Sequence, residues 1–405
     1  LRFIIICFVN LQPNLPGAVY KSTQYYSEIR TQNILTMGFT QRIKVSGSQP
    51  QGALIRRLSV SIGLLLLSAW SLWGQDFHYS QFYHAPLHLN PALTGVFGGD
   101  SRVTANYRSQ WTSVPVPYKT FSVLADQKFF LRKHTDGFFG AGLALNHDRA
   151  GDSRLTWASV DLSASYTRYL DPQWFLTAGL QLGAVQRSFS LDELRFDEQF
   201  DPLPGRYNPD LPIGETFGSF SRPFFDMGAG LNLRWQDQQR RSLVDRLDKR
   251  SSFDLGLGLF HLNRPNQSFV EDAEQPLPLR LSLYLRGIVQ VSPELDVVVA
   301  FSPQFQKPYQ QMTGTAGLRY FLSRQLGKQV AVQFNAGYRF NDAFGDAFIP
   351  SLEVYYNTIH AGFSYDINIS DFSIATSRRG GPEIYIRYIL KKVHPLPEFK
   401  ICPLI

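Results

Sequence analysis

Long runs that alternate apolar and polar side chains, one after another from residue 101 onward, constrain this chain more than any other feature. That spacing sends successive side chains to opposite faces of a β-strand. In FDMGAGLNLRW, residues 225–235, Phe225, Met227, Ala229, Leu231, Leu233 and Trp235 share one face, and Asp226, Gly228, Gly230, Asn232 and Arg234 share the other. RLSLYLR (280–286) and VAVQFNAGYRF (330–340) repeat the pattern, as do WASVDLSASYTRY and WFLTAGLQLGA. A soluble sandwich alternates too, but its strands run to about five or six residues, whereas a strand crossing a bilayer obliquely needs about nine to eleven. These runs are of the longer kind. Several carry an aromatic residue near an end, such as Trp174, Trp235, Tyr338 and Phe340, as expected at the headgroup layer. The opposite face, rich in Gly, Ser, Asn, Asp and Arg, suits a polar lumen and would make a poor dry core. No segment after residue 101 is apolar enough for a spanning helix, so an integral protein of this sequence has to be a closed barrel.

The expected fold is therefore all-β: a transmembrane antiparallel β-barrel of the outer membrane with about 14 strands, an even number as in bacterial barrels. The strands are expected at 101–111, 119–131, 137–147, 154–169, 173–187, 224–236, 252–262, 279–291, 294–305, 310–322, 328–340, 346–356, 358–370 and 381–391. Connections after odd strands are expected to be external and often long, as at 188–223 and 264–278, and those after even strands tight, as at 170–173, 291–294 and Asn357. One even connection breaks the rule. QDQQRRSLVDRLDKRSS, 236–252, is long and charged, and is either a solvated loop or a periplasmic docking element presenting Arg240, Arg241, Arg246, Lys249 and Arg250.

Upstream, LIRRLSVSIGLLLLSAWSLWG (54–74) places two arginines before an apolar core and small residues, the layout of a secretory signal peptide cut near Gly74-Gln75. A membrane anchor is the competing reading, and the apolar run is short for one. Residues 1–53 read as a non-structural leader or gene-calling extension, with Met37 a plausible start; 75–100 as a periplasmic N-terminal segment; 101–391 as the barrel; and 392–405 as a C-terminal tail. Of the two cysteines, Cys7 precedes the signal, so the exported chain would carry Cys402 and no internal disulfide. A net charge of +7 could point to nucleic acid, but export makes that partner improbable.

HYSQFYHAPLHLNPALTG, 78–95, sets His78, His84 and His88 close together. The His84/His88 spacing suits a metal site only on an intact helix with a glutamate base, and Pro86 lies between them. Packing or partner contact is the stronger reading. This segment, YRSQW (107–111), HLNRPNQSF (261–269), YDINIS (365–370) and GGPEIYIRYIL (380–390), in that order behind a signal, resemble the PorP/SprF family of Bacteroidota type IX secretion systems from about residue 75 to the end. The sequence departs at Leu93 and Thr94, where a tyrosine-alanine type pair is expected, and in its 188–223 loop.

The resemblance implies an outer-membrane barrel related in architecture to fatty-acid transporters, serving type IX secretion, gliding motility and surface attachment of cargo. It singles out Asn90, Pro91, Gly95, Tyr107, Arg108, Gln110 and Trp111 as motif residues. Asn90-Pro91 and Gly95 would turn the chain toward the first strand or the barrel mouth.

Asp161, Asp226, Arg234, Asp254, Arg280, Arg286, Arg339, Glu383 and Arg387 fall on lumen-facing positions, but alternation cannot say which approach one another. They either solvate and brace the interior or include a hydrolytic carboxylate pair; no nucleophile motif supports the enzyme. The leading expectation is a noncatalytic type IX component without cofactor or metal. Its partners would be periplasmic and outer-membrane machinery, a secreted cargo or adhesin, and outer-membrane lipid. The alternative is an outer-membrane transporter or channel for small hydrophobic molecules.

Overall fold

The computed structural model describes residues 76–391 apart from 112, 114–115, 131–135, 193, 202–205, 215–216, 238–248, 271–272, 326–327, 342–344 and 371–372. The leader, the apolar run 54–74, the tail 392–405, and Arg240, Arg241 and Arg246 lie outside the described residues.

Fourteen strands form one closed antiparallel barrel. They begin with β1 (Ser101–Gln110), β2 (Tyr118–Phe129), β3 (Gly137–Ala150), β4 (Leu155–Tyr169) and β5 (Trp174–Ser188). A short ribbon of β6 (Phe200–Asp201) and β7 (Arg206–Tyr207) sits in the connection that follows, outside the barrel sheet. The barrel resumes with β8 (Ser221–Gln236), β9 (Ser252–Phe260), β10 (Arg280–Gln290), β11 (Leu295–Gln306) and β12 (Tyr309–Ser323). It ends with β13 (Val330–Phe340), β14 (Gly345–Tyr356), β15 (Ile359–Asn368) and β16 (Arg379–Leu390). β16 closes on β1, with Ser101 opposite Leu390 and Arg108 opposite Glu383. The closure leaves no unpaired sheet edge, the condition for backbone in lipid.

The strands split cleanly by face. On β4, Ser159, Asp161, Ser163, Ser165 and Thr167 are buried inward, while Val160, Leu162 and Tyr166 are exposed outward. On β5, Leu180 and Leu182 are 66% and 59% exposed, whereas Thr177 is fully buried. Large apolar side chains bared to the outside with hydroxyls hidden inside invert the order of a water-soluble protein and fit a lipid-facing wall.

The two chain ends of the barrel, Ser101 and Leu390, lie together at one end with the short 170–173, 291–294 and 357–358 connections. This turn end also carries the 237–251 connection, and the other, loop end carries 189–220 and 261–279. The odd connections are not uniformly long: β11 and β12 join through Lys307-Pro308 alone. In outer-membrane barrels the turn end faces the periplasm.

The expectation of a periplasmic segment at 75–100 is corrected. Residues 79–87 and 89–96 are buried inside the barrel, as a 3₁₀ turn Phe82–His84, a one-turn helix Pro86–Leu89 and a 3₁₀ turn Pro91–Leu93. Phe82, Tyr83, Leu89, Leu93 and Val96 pack with Tyr284 and Ala300 of the wall into an apolar cluster. A polar wall alone would leave the lumen to water; this apolar insert gives the molecule an interior core.

Candidate functional site in the barrel lumen

The buried segment, here the plug, is fastened to the wall along its length. At its first described residue, Asp76 Oδ2 lies 2.7 Å from His261 Nε2 and 3.3 Å from Arg280 Nε, and Asp76 Oδ1 accepts from Gln306 Nε2 at 3.1 Å. His261 Nδ1 reaches Asp226 Oδ1 at 2.9 Å. Burial alone would push the His261 imidazole down, but Asp76 and Asp226 on either side outweigh it and raise it to about 9. Asp76 in turn is held well below the ordinary carboxylate range: its own burial opposes this, and the His261 and Arg280 cations prevail.

Four residues on, the plug meets a cluster of paired charges. Glu383 accepts from the Ser80 and Gln81 backbone N–H groups at 2.7 and 2.8 Å, and Asp366 accepts from Ser80 Oγ at 2.7 Å. Arg108 Nη1 donates to the His78 carbonyl at 2.6 Å, and the same guanidinium pairs with Asp366 at 2.9 Å. Arg339 pairs with Asp346 at 2.6 Å and with Asp366 at 2.9 Å. Each buried charge thus has an opposite partner and hydrogen bonds, without which it would cost several kcal/mol to hold there.

The histidines are engaged singly and hold no common ligand. His84 stacks on Tyr385 with ring centroids 3.5 Å apart, and its Nε2 lies 3.0 Å from Glu353 Oε2. Burial pushes its pKa to about 3, so the ring is neutral; its buried Nδ1 has no partner, which assigns the proton to Nε2. His88 shows the other tautomer, since Arg280 donates to its Nε2 at 2.8 Å. Its pKa is likewise pushed to about 3 by burial and by Arg280. Pro86 starts the one-turn helix, which leaves His84 in the preceding 3₁₀ turn and breaks the spacing a zinc helix needs. Among the described residues no group of His, Cys, Asp and Glu is placed to hold a metal.

Lower down, Asn90 Oδ1 accepts from the Ala92 N–H at 2.8 Å and its Nδ2 donates to the Leu231 carbonyl at 2.9 Å. This turn lies so close to the wall that a Cβ on Gly230 would strike the Asn90 side chain, and one on Gly179 would meet the Pro91–Ala92 backbone. Gly95, at φ +74°, gives its N–H to Asp126 and turns the chain toward β1.

The other motif residues divide. Arg108 is buried inward, Tyr107 is exposed outward, and Trp111, past the Gln110 end of β1, donates its N–H to the Gly380 carbonyl and rests its ring against Tyr118. Of the lumen candidates, Arg234 and Asp254 approach at 3.7 Å. Asp161 stands apart, accepting from Asn146 and Ser159 at 2.6 and 2.8 Å. Arg280, Arg339, Asp226 and Glu383 join the plug contacts above, and Arg286 and Arg387 face the turn end. Arg250, expected in a docking loop, instead pairs with Asp296 at 2.7 Å, bonds the Ser292 and Pro293 carbonyls and lies over Phe321. It anchors the base of the connection, since its partners surround it; Lys249 is only 3.9 Å from Asp237.

Asp76, His261, Glu353 and Asp366 escaped the sequence reading. Glu353 and Asp366 each lie at an inward position of an alternating strand, and His261 opens a motif already quoted, so each had a weak signal.

Residues 71–388 match the family described as type IX secretion system membrane protein PorP/SprF. The chain belongs to the PorP/SprF family. As a PorP/SprF protein with a closed barrel, it is an outer-membrane component of type IX secretion. No curated protein matches the sequence. Solved structures similar to it include the Ralstonia pickettii toluene transporter TbuX (12% identity, 78% of this chain and 96% of that one, TM-score 0.42). A Pseudomonas aeruginosa FadL homologue is similar at 12% identity, over 75% and 93% of the two chains, with TM-score 0.40. At these scores the likeness adds nothing to the fold already described.

Proposed function

We propose that this PorP/SprF protein works as a noncatalytic part of the type IX machinery, through protein contacts at the two ends of a barrel that does not conduct. The plug supports this reading: it occupies the lumen and is bonded to β1, β8, β10, β14, β15 and β16. The turn end would meet periplasmic partners, and the loop end a secreted cargo or adhesin. A transporter for small hydrophobic molecules would need an open apolar path; the inward faces are mostly hydroxyls, amides and charges, and the apolar wall residues Tyr284 and Ala300 are covered by the plug.

The test is deletion of 238–248, sparing Arg250, whose contacts are structural. Co-purification with periplasmic partners should be lost while heat-modifiable migration stays intact; undiminished co-purification would overturn the reading. We propose also that the leader is removed near Gly74-Gln75, because Asp76 is enclosed in the lumen wall. Peptide mass spectrometry of the outer-membrane form should then find its first residue close to Gln75, and a retained 54–74 peptide would refute removal.

A further inference from the structure

At the turn end of the lumen, below the plug, lies a cavity of about 200 Å³, joined to a neighbour of about 240 Å³ by the shared walls Arg319, Tyr355 and His360. Five guanidinium groups and the carboxylate of Asp254 line the first cavity: Arg102 and Arg234, and the three that concern an anion here, Arg286, Arg319 and Arg387. Other arginines at this end have carboxylate partners: Arg102 has Asp126 at 2.6 Å, Arg250 has Asp296 at 2.7 Å and Arg234 has Asp254 at 3.7 Å. Among the described residues Arg286, Arg319 and Arg387 have none within salt-bridge distance. Arg319 donates to Gln333 and Tyr355, and Arg387 to Thr104 and the Tyr83 carbonyl, all neutral acceptors. The buried Nε of Arg286 has no partner at all. Of the nearby carboxylates, Glu353 is already engaged by Tyr83, His84, Tyr355 and Tyr385, and Asp254, opposite Arg286 across β9 and β10, pairs with Arg234 at 3.7 Å.

Each of the three also lies over a tyrosine ring: Arg286 over Tyr83 at 5.4 Å, Arg319 over Tyr355 at 4.4 Å, Arg387 over Tyr385 at 5.8 Å. Stacking fixes a guanidinium plane while its edge N–H groups stay available to an anion, and it limits the ordering cost of binding.

We propose that this vestibule binds an acidic peptide segment entering from the turn end, with its carboxylates on Arg286, Arg319 and Arg387. A lipid headgroup has no way in from the side, because the sheet is closed through all fourteen strands. Phe82, Leu89 and Leu93 of the plug add apolar surface beside the cations, which suits a peptide better than a bare inorganic anion. The site belongs to the barrel itself and is tested on purified protein, so its failure would leave the co-purification result untouched.

Fluorescein-labelled hexaglutamate and hexaglutamine would be titrated against the full-length barrel in detergent and read by anisotropy. Hexaglutamate should bind, more weakly as salt rises, and hexaglutamine should not. Arg286→Gln combined with Arg319→Gln and Arg387→Gln should weaken hexaglutamate at least tenfold while heat-modifiable migration is retained. If that variant fails to fold, Arg286→Gln alone, which removes no hydrogen bond, should still weaken binding measurably. Unchanged affinity in the variants, equal binding of hexaglutamine, or displacement of hexaglutamate by inorganic phosphate at equal charge would each overturn the proposal.

Discussion

His261 shows how one side chain can tie a segment to a wall and make the tie sensitive to pH. Its imidazole lies between Asp76 of the plug and Asp226 of β8 and is raised to about 9 from an ordinary value of 6.5. A raised histidine contributes stability that is complete below about 6.5 and is lost as pH climbs through about 9. Asp76, held low, contributes above its ordinary value of 3.8 and loses that contribution only in acid below it. The anchor is therefore expected to be strongest from about pH 4 to 6.5 and to fade toward pH 9. Protease cleavage near residue 78 should be faster at pH 9.5 than at pH 6 relative to a loop-end control site. In His261→Gln that difference should vanish; a wild-type rate ratio independent of pH would contradict the assignment.

The element that matters most is the plug, which has too little regular structure to be stable by itself. Its longest helix is Pro86–Leu89, a single turn, and isolated helices that short do not persist in water. Its shape is imposed by the wall: acids on β14, β15 and β16 accept its Tyr83 hydroxyl, Ser80 hydroxyl and backbone N–H groups, and wall glycines admit its turn. Glu383→Ala removes the acceptor for two buried N–H groups and a neighbour of Arg108, 3.6 Å away. Breaking a buried charged contact of this kind costs about 3–5 kcal/mol. Hydrogen exchange over 79–84 should accelerate on the order of a hundredfold or more, with strand amides unchanged. Equal protection in the variant would show that the plug is held elsewhere.

At the scale of the whole molecule, a lumen filled in this way predicts an electrically silent barrel. Purified protein in planar bilayers should show no steady conductance, and deletion of 79–94 should open a persistent one while leaving heat-modifiable migration intact. Steady channels in the intact protein would refute the closed lumen. The barrel itself was legible in the sequence. Period-two runs such as 225–235 state which side chains face lipid, and their length states that they cross it, because both properties are local to the strand. The plug was not legible, although HYSQFYHAPLHLNPALTG was conspicuous, because its partners lie far along the chain: Ser80 bonds Asp366 and Glu383, and Asp76 bonds His261. Alternation placed Arg280, Arg339 and Glu383 on the lumen side yet could not choose their partners, and the charge of the 236–252 connection could not foretell that Arg250 pairs with Asp296, which comes near only across the barrel end. The sequence by itself determined a membrane-spanning β-barrel and its inside and outside, since those follow from hydrophobic partition along each strand. Only the tertiary structure decided what fills the barrel and which charges meet, since these depend on strand register and closure, which bring distant residues within hydrogen-bond reach.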